Sequence, residues 1–407
     1  MVDMGTPVLH RNDLDYVKSV QDGVGRTMFG LEEVLRLLIV ALYTGGHVLL
    51  EGNPGLGKTQ LIKDLCANLG FDEKRWGRIQ FTPDLMPADI TGTKMPVDGD
   101  MGRFAFQPGP LFRWLLLADE INRATPKTQS AMLEAMAEGQ VTVLGQTHKL
   151  RPPVPVTGMG DTLSVLPPFM VLATQNPIDQ EGVFDLPEAQ ADRFMFKVRM
   201  PFPNAGTLGS IIDKVTGPPA APAGPAATAA GKSWGEEDAL RFFHRIGASI
   251  RALDPPPVVK DHIVNIVLAT NHRAAEAVGI DQRTQEALEK WSRHFVDYGA
   301  GPRAATAMML GAKGWAGLFL GGVDHAGAAL GRVAMPVLRH RLKLVFDWEH
   351  RFLEKAQGRY KPVPPGRDER HDALLAELVM LTAPTEAGYR DLIGQSLRAA
   401  GVALPER

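Results

Sequence analysis

The sequence predicts an α/β fold: a phosphate-loop αβα core with a mainly parallel sheet, followed by a small all-helical domain and a C-terminal helical extension. Three observations predict it. Ahead of residue 216, short apolar runs of strand character alternate with helical patterns, as parallel β-α-β units require. A glycine-rich segment ending in Lys58-Thr59 sits between one such run and a helix. Beyond the stretch T-G-P-P-A-A-P-A-G-P-A-A-T-A-A-G-K at 216–232 the pattern is helical almost throughout.

Taken in order, residues 31–43 read as an amphipathic helix and 47–50 as a buried strand. Residues 59–69 read as a helix with Leu61, Ile62, Leu65, Cys66 and Leu69 on one face, and Gly70 stands where its C-cap is expected. Residues 114–118 and 169–173 are the second and third apolar strands. Between them Thr125 can cap a helix with Pro126 at its first position, Met132, Ala135 and Met136 facing inward and Gly139 ending it. A second Pro/Gly stretch at 361–367 sets off a helical tail. The expected organisation is an N-terminal arm at 1–26, a core at 27–215, a Pro/Ala/Gly-rich linker at 216–236, a helical domain at 237–345 and an extension at 346–407.

At 407 residues the chain has room for two or three domains, and 44% hydrophobic with 22% charged residues excludes global disorder. Lys and Arg number 44 against 46 Asp and Glu, so no global field draws nucleic acid or an anionic membrane. The single cysteine, Cys66, excludes an intrachain disulfide framework and any multi-cysteine zinc site. The 11 histidines include no pair at metal-binding helical spacing beside a carboxylate. With no apolar run of spanning length and no signal-peptide pattern at the N-terminus, the expected location is the cytoplasm.

Gly52-Asn53-Pro54-Gly55-Leu56-Gly57-Lys58-Thr59 matches G-x-x-x-x-G-K-[ST] in full. Glycines let backbone N–H groups curl round a β-phosphate, Lys58 reaches the β and γ oxygens, and the Thr59 hydroxyl suits Mg²⁺. Gln60 continues into the helix, whose N-terminal dipole favours an anion. A glycine-rich turn can match by chance, but the strand before it and the helix after it are the required context.

Such a loop needs a second magnesium anchor at a neighbouring strand end, and Leu115-Leu116-Leu117-Ala118-Asp119-Glu120 supplies it. Asp119 would hold the ion through water, and Glu120 is placed to activate a water as general base, which favours hydrolysis over transfer to another acceptor. Asn176, at the carboxyl end of the third strand, can hold a water near the γ-phosphate, although Asn-Pro is also an ordinary turn. The residues alone leave Arg193 and Arg303 open between surface charges and functional groups.

The order of these motifs resembles an AAA+ ATPase, specifically the MoxR family. The resemblance is carried by G-G-H-V-L-L-E-G-N-P-G-L-G-K-T, Q-F-T-P-D-L-M-P-A-D-I-T-G from Gln80, A-D-E-I-N-R-A-T-P-K-T-Q-S-A-M-L-E-A-M from Ala118, A-T-Q-N-P-I-D-Q-E-G from Ala173, L-P-E-A-Q-A-D-R-F from Leu186 and Y-G-A-G-P-R-A from Tyr298. It implies an AAA+ core with a helical lid, ATP and Mg²⁺ as ligands, and a homo-oligomeric ring, usually a hexamer. It assigns Asn176 as first sensor, Arg193 as the finger reaching the next subunit's ATP, with Arg123 a rival, and Arg303 as the lid's sensor. It further implies two hairpins facing a ring pore, one at about 91–106 and one beginning near Val141.

Three departures stand out: the second hairpin carries extra Pro/Gly-rich residues at roughly 151–166, the linker is long, and the tail either docks on the ring, binds a client or is a packing appendage. The expected function is ATP-driven, chaperone-like remodelling or maturation of a protein client, including activation or metal insertion, with a von Willebrand factor A domain partner. A helicase-type DNA motor is the alternative, thinly supported because the first hairpin tip carries only Lys94 and Arg103 as bases. A static ring using ATP as glue is the third.

Overall fold

The computed structural model describes residues 9–97, 100–158, 161–176, 183–184, 186–217 and 235–406. Most of the linker falls on 218–234 and the end of A-T-Q-N-P-I-D-Q-E-G on 177–182, outside the described residues. The chain divides into two compact units, one of Met1–Phe194 with Val198–Ser249, the other of Met195–Lys197 with Ile250–Arg407.

The first unit begins with α1 (Arg11–Gly25) and α2 (Glu32–Thr44), then β1 (Val48–Glu51), α3 (Lys58–Asn68), β2 (Trp76–Gln80) and α4 (Pro87–Thr91). Next come β3 (Gly92–Val97), β4 (Asp100–Pro108), β5 (Leu115–Asp119), α5 (Pro126–Glu138), β6 (Gln140–Val143), β7 (Gln146–Lys149), β8 (Val154–Gly158), β9 (Asp161–Val165) and β10 (Met170–Gln175). After α6 (Glu188–Ala191) follow β11 (Phe196–Arg199), of which Val198 and Arg199 are counted to this unit, α7 (Ala205–Thr216) and α8 (Glu236–Ala252), counted to it as far as Ser249.

The central sheet has the order β11-β1-β10-β5-β2. Val48 lies opposite Leu172, Leu117 opposite Leu172 on the other side, and Gln80 opposite Asp119, all in parallel register. Parallel strands covered on both faces read as unbroken apolar runs. β1 and β5 are buried at every position and β10 at all but its last. Against one face pack Met132, Leu133, Ala135 and Met136 of α5 with Leu49, Leu116, Val171 and Phe194.

The sequence-derived helices and strands over 31–173 all form, displaced by one residue or so. The C-cap of α3 is Leu69 rather than Gly70. Gly70 follows it at φ +68°, and the Phe71 N–H donates to the Cys66 carbonyl at 2.9 Å, closing the helix in the left-handed way that glycine favours. Two sheet strands were not legible. β2, W-G-R-I-Q, buries only Ile79, and β11 spans just four residues.

Three antiparallel hairpins leave the sheet. β3 pairs with β4, β6 with β7, and the Pro/Gly-rich residues at 151–166 form a further pair, β8 with β9. That last hairpin is anchored through Val156 and Val165, which cluster with Leu240 of α8 and pack against Trp114. Phe106 of β4 stacks on His148 of β7 with ring centroids 3.7 Å apart, joining the first two hairpins.

The second unit is helical: α9 (Pro257–Thr270), α10 (Gln282–Phe295), α11 (Pro302–Phe319), α12 (Ala326–Leu338), α13 (Trp348–Ala356), α14 (Arg367–Thr382) and α15 (Tyr389–Ala399), with a short ribbon of β12 (Val296–Tyr298) and β13 (Lys343–Leu344). The tail is part of this unit's core. A Cβ added at Gly327 would lie 2.8 Å from the Tyr389 ring, and one at Gly331 2.7 Å from the Ser396 side chain, so α15 seats directly on the glycine face of α12. His262 of α9 ties both later helices: Nε2 donates to the Val379 carbonyl at 2.8 Å and Nδ1 lies 3.1 Å from the Tyr389 hydroxyl. Among the described residues, no helix is long and apolar enough to cross a membrane.

Candidate nucleotide site

Parallel register brings Glu51, Gln175, Asp119 and Gln80 to one edge of the sheet, the carboxyl edge where ligands gather in open α/β folds. The loop from Gly52 to Gly57 leaves β1 at this edge and delivers its chain into α3. Gly55 and Gly57 adopt φ +81° and +76°, which side-chain-bearing residues resist. Gly52 is needed for a different reason, since a Cβ there would stand 2.8 Å from Met200 Cβ. Asn53, Pro54 and Gly55 are exposed, Leu56 half-buried and Gln60 exposed.

Lys58, first residue of α3, donates through Nζ to the Gly52 carbonyl and lies 3.4 Å from that of Gln175. Burial lowers its pKa, against the opposing pull of Asp119, Glu120 and Glu51. The ammonium thus lies folded across the loop with three carboxylates in its field.

Asp119 is the hub. Thr59 Oγ1 donates to its Oδ2 at 3.1 Å, Thr174 Oγ1 to its Oδ1 at 2.6 Å, and Arg78 to Oδ2 from both Nε, 3.2 Å, and Nη2, 2.7 Å. Burial raises the carboxyl's pKa, but the donors from Thr174, Arg78 and Thr59 outweigh it and the net shift is downward. The group is held as an anion.

Glu120 takes φ +57°, an uncommon backbone for a non-glycine residue of the kind that clusters at functional sites. Its N–H donates to Thr174 Oγ1 at 2.8 Å. Its Oε2 accepts from Gln80 Nε2 at 3.1 Å and pairs with Arg123 Nε at 3.0 Å, so Arg123 engages its own chain here. Asn176 is half-buried just past β10, its carbonyl accepting from Asn122 Nδ2 at 3.3 Å.

The structure therefore brings Lys58, Thr59, Asp119, Glu120 and Asn176 to neighbouring positions along one sheet edge. Arg193 follows α6, half-buried, with Nε lacking a hydrogen-bond partner among the described residues. Arg303, exposed, is the second residue of α11 in the other unit. Sequence reasoning missed Arg78, Gln80 and Thr174. The first two are two apart on a strand and so share a face; Thr174 is a buried hydroxyl ending an apolar run, a place where an unpaired polar group would be costly. Those were the available signals.

The model of the ATPase family associated with various cellular activities matches residues 47–196, which span the phosphate loop, Asp119, Glu120 and Asn176. The chain is 39% identical to the uncharacterized protein YeaC of Bacillus subtilis over 268 residues, 66% of this chain and 74% of that one. It is 35% identical to Chaperone MoxR1 of Mycobacterium tuberculosis over 325 residues, 80% and 74%. A crystal structure from Cytophaga hutchinsonii, described as that of an ATPase candidate, superimposes with a TM-score of 0.64 at 30% identity, covering 84% of this chain and 91% of that one. The phosphate loop, the Asp119-Glu120 strand end and these likenesses agree: the chain belongs to the MoxR family of chaperone-like AAA+ proteins and is a nucleotide-binding ATPase.

Proposed function

We propose that this chain hydrolyses Mg²⁺-bound ATP to drive chaperone-like remodelling or maturation of a protein client. The observation carrying the reading is that Thr59, from the phosphate loop, and Asp119, two strands away in the sheet, meet at 3.1 Å. Two hard oxygen donors at the mouth of a phosphate loop fit Mg²⁺, which takes few protein ligands beside phosphate oxygens and water. The ion would supply charge neutralisation on the phosphates. Gly52, Asn53, Pro54, Gly55, Leu56, Gly57 and Gln60 form the loop and helix start that cradle the nucleotide; Lys58 neutralises its terminal phosphates.

Glu120 accepts the proton of the attacking water, while Gln80 and Arg123 hold its Oε2. Asn176 orients that water. Arg193, half-buried just after α6, serves the triphosphate of an adjoining subunit in a ring of copies, a hexamer by likeness to the family. Arg303 acts from the helical lid. Arginine contacts of this kind contribute about 10³ to 10⁵ in rate. The hairpins β3-β4 and β6-β7 contact the client. A von Willebrand factor A domain partner and metal insertion into the client follow the same family reading, and the linker and lid boundaries at 216–236 and 237–345 belong with it.

The test is turnover against protein concentration, with Glu120→Gln and Lys58→Ala alongside. Specific activity should rise as rings assemble; Glu120→Gln should retain ATP without hydrolysing it, and Lys58→Ala should not bind. Hydrolysis by Glu120→Gln at the wild-type rate would remove Glu120 from its role.

A further inference from the structure

The Asp119 carboxylate, 9% exposed, is bound by a cation of its own chain. Arg78 of β2 sets both Nε and Nη2 on one oxygen, Oδ2, at 3.2 and 2.7 Å. That oxygen is also the one facing Thr59 Oγ1. The other oxygen, Oδ1, is held separately by the buried Thr174 hydroxyl at 2.6 Å. One side of the carboxylate is thus a fixed structural anchor, and the other carries a guanidinium at the position where a divalent cation would be shared with Thr59.

We propose that Arg78 is a positioning residue that acts as an internal counter-ion: it occupies Asp119 Oδ2 and gives that oxygen up to the divalent cation that accompanies ATP. The inference rests on the ATPase reading of this site. Two features make the exchange physically reasonable. The Arg78 side chain is 42% exposed, so the guanidinium is partly solvated and its release does not strand a buried charge. The same Nη2 already donates to Gln80 Oε1, and Gln80 in turn donates to Glu120 Oε2 at 3.1 Å. A guanidinium leaving Asp119 retains its partner on Gln80, beside the general base.

The counter-ion role makes a prediction opposite to that of a residue that merely braces the site. A brace, when removed, weakens cation binding; a competitor, when removed, strengthens it. The probe is Mn²⁺, followed by its free-ion electron paramagnetic resonance signal, titrated into the full chain saturated with the non-hydrolysable analogue AMP-PNP. Arg78→Ala should bind Mn²⁺ roughly 3- to 30-fold more tightly than wild type, the span of a partly exposed charge-assisted contact. Arg78→Lys, which keeps the charge and loses the fork, should fall between the two. Should Arg78→Ala fold poorly, Arg78→Met keeps the aliphatic stem and takes the same titration.

Unchanged or weaker Mn²⁺ affinity in a variant that still binds AMP-PNP and unfolds at the wild-type temperature overturns the counter-ion role alone. Absence of AMP-PNP-dependent Mn²⁺ binding in the wild type overturns the reading beneath it.

Discussion

Thr174 and Asp119 join two strands at the nucleotide site: a fully buried hydroxyl near the end of β10 donates at 2.6 Å to a carboxylate at the end of β5, and accepts the Glu120 N–H at 2.8 Å. One hydroxyl therefore fixes the orientation of the Asp119 carboxylate, the proposed metal ligand, and the backbone of Glu120, the proposed base. Thr174→Val keeps the shape and deletes both bonds. It should cost about 1–3 kcal/mol, the range for a buried polar group left without its partner, and lower kcat about tenfold. Thr174→Ser should restore most of both. Thermal unfolding and steady-state hydrolysis check the pair; equal stability of the Val variant would show that the junction contributes nothing.

Gly52 should be the least replaceable glycine of the loop on steric grounds. An added Cβ would stand 2.8 Å from Met200 Cβ, an atom that no side-chain rotation can move, whereas nothing lies within 4 Å of a Cβ at Gly55. Gly55→Ala still suffers backbone strain from φ +81°, of order 1 kcal/mol. Gly52→Ala should therefore lower the unfolding temperature more than Gly55→Ala does, as calorimetry would show.

His47 gives the first unit an acid-sensitive pin. Buried, it accepts the Val171 N–H on Nδ1 at 3.0 Å, and Nε2 lies 3.3 Å from the Met136 carbonyl, so it is neutral with the proton on Nε2. Burial is the main cause that lowers its pKa from 6.5 to about 4. The unfolded chain gains a proton near pH 6.5 and the folded chain does not until about 4. Stability is thus full above pH 6.5 and falls as the pH drops through that window, by about 3 kcal/mol in all. His262, also lowered to about 4 by burial, should add a similar loss in the second unit. Denaturant melts from pH 7.5 to 4 should show the decline, and His47→Gln should start less stable but show a shallower slope.

Ending the chain after Phe346 should destroy the second unit rather than trim it. Removal of α13, α14 and α15 uncovers the face of α12 around Gly327 and Gly331 and strands the buried His262 and Asn265, which hydrogen-bond to Val379 and Thr382. The truncated chain should aggregate or lose cooperative unfolding in that unit. A soluble, monodisperse product with an unchanged near-ultraviolet spectrum would contradict this.

The strand β1, the loop after it and helix α3 were legible because their constraints are local: the apolar run Val48-Leu49-Leu50, glycines where the backbone turns left-handed, and a 3.6-residue apolar stripe. Asp119 and Glu120 were legible for the same reason, as the polar end of an apolar run. The edge strand β2 was not, because W-G-R-I-Q buries only Ile79 and its strand character comes from pairing with β5. The hairpin at β8-β9 was hidden by prolines and glycines, and Leu240, some 75 residues from Val165, supplies its apolar support.

By itself, then, the sequence determined the chemistry available to this protein, since a phosphate loop and a strand-end acid pair are written within short windows. Only the tertiary structure decided how those groups are partnered. Arg78 meets Asp119 across 41 positions and Thr174 meets it across 55, distances over which no local pattern carries information. Parallel register between β2, β5 and β10 is what brings them to one edge. The same holds for the tail, which the sequence leaves open between a ring contact, a client contact and a packing appendage, and whose α15 docks on the glycines of α12 as part of a core.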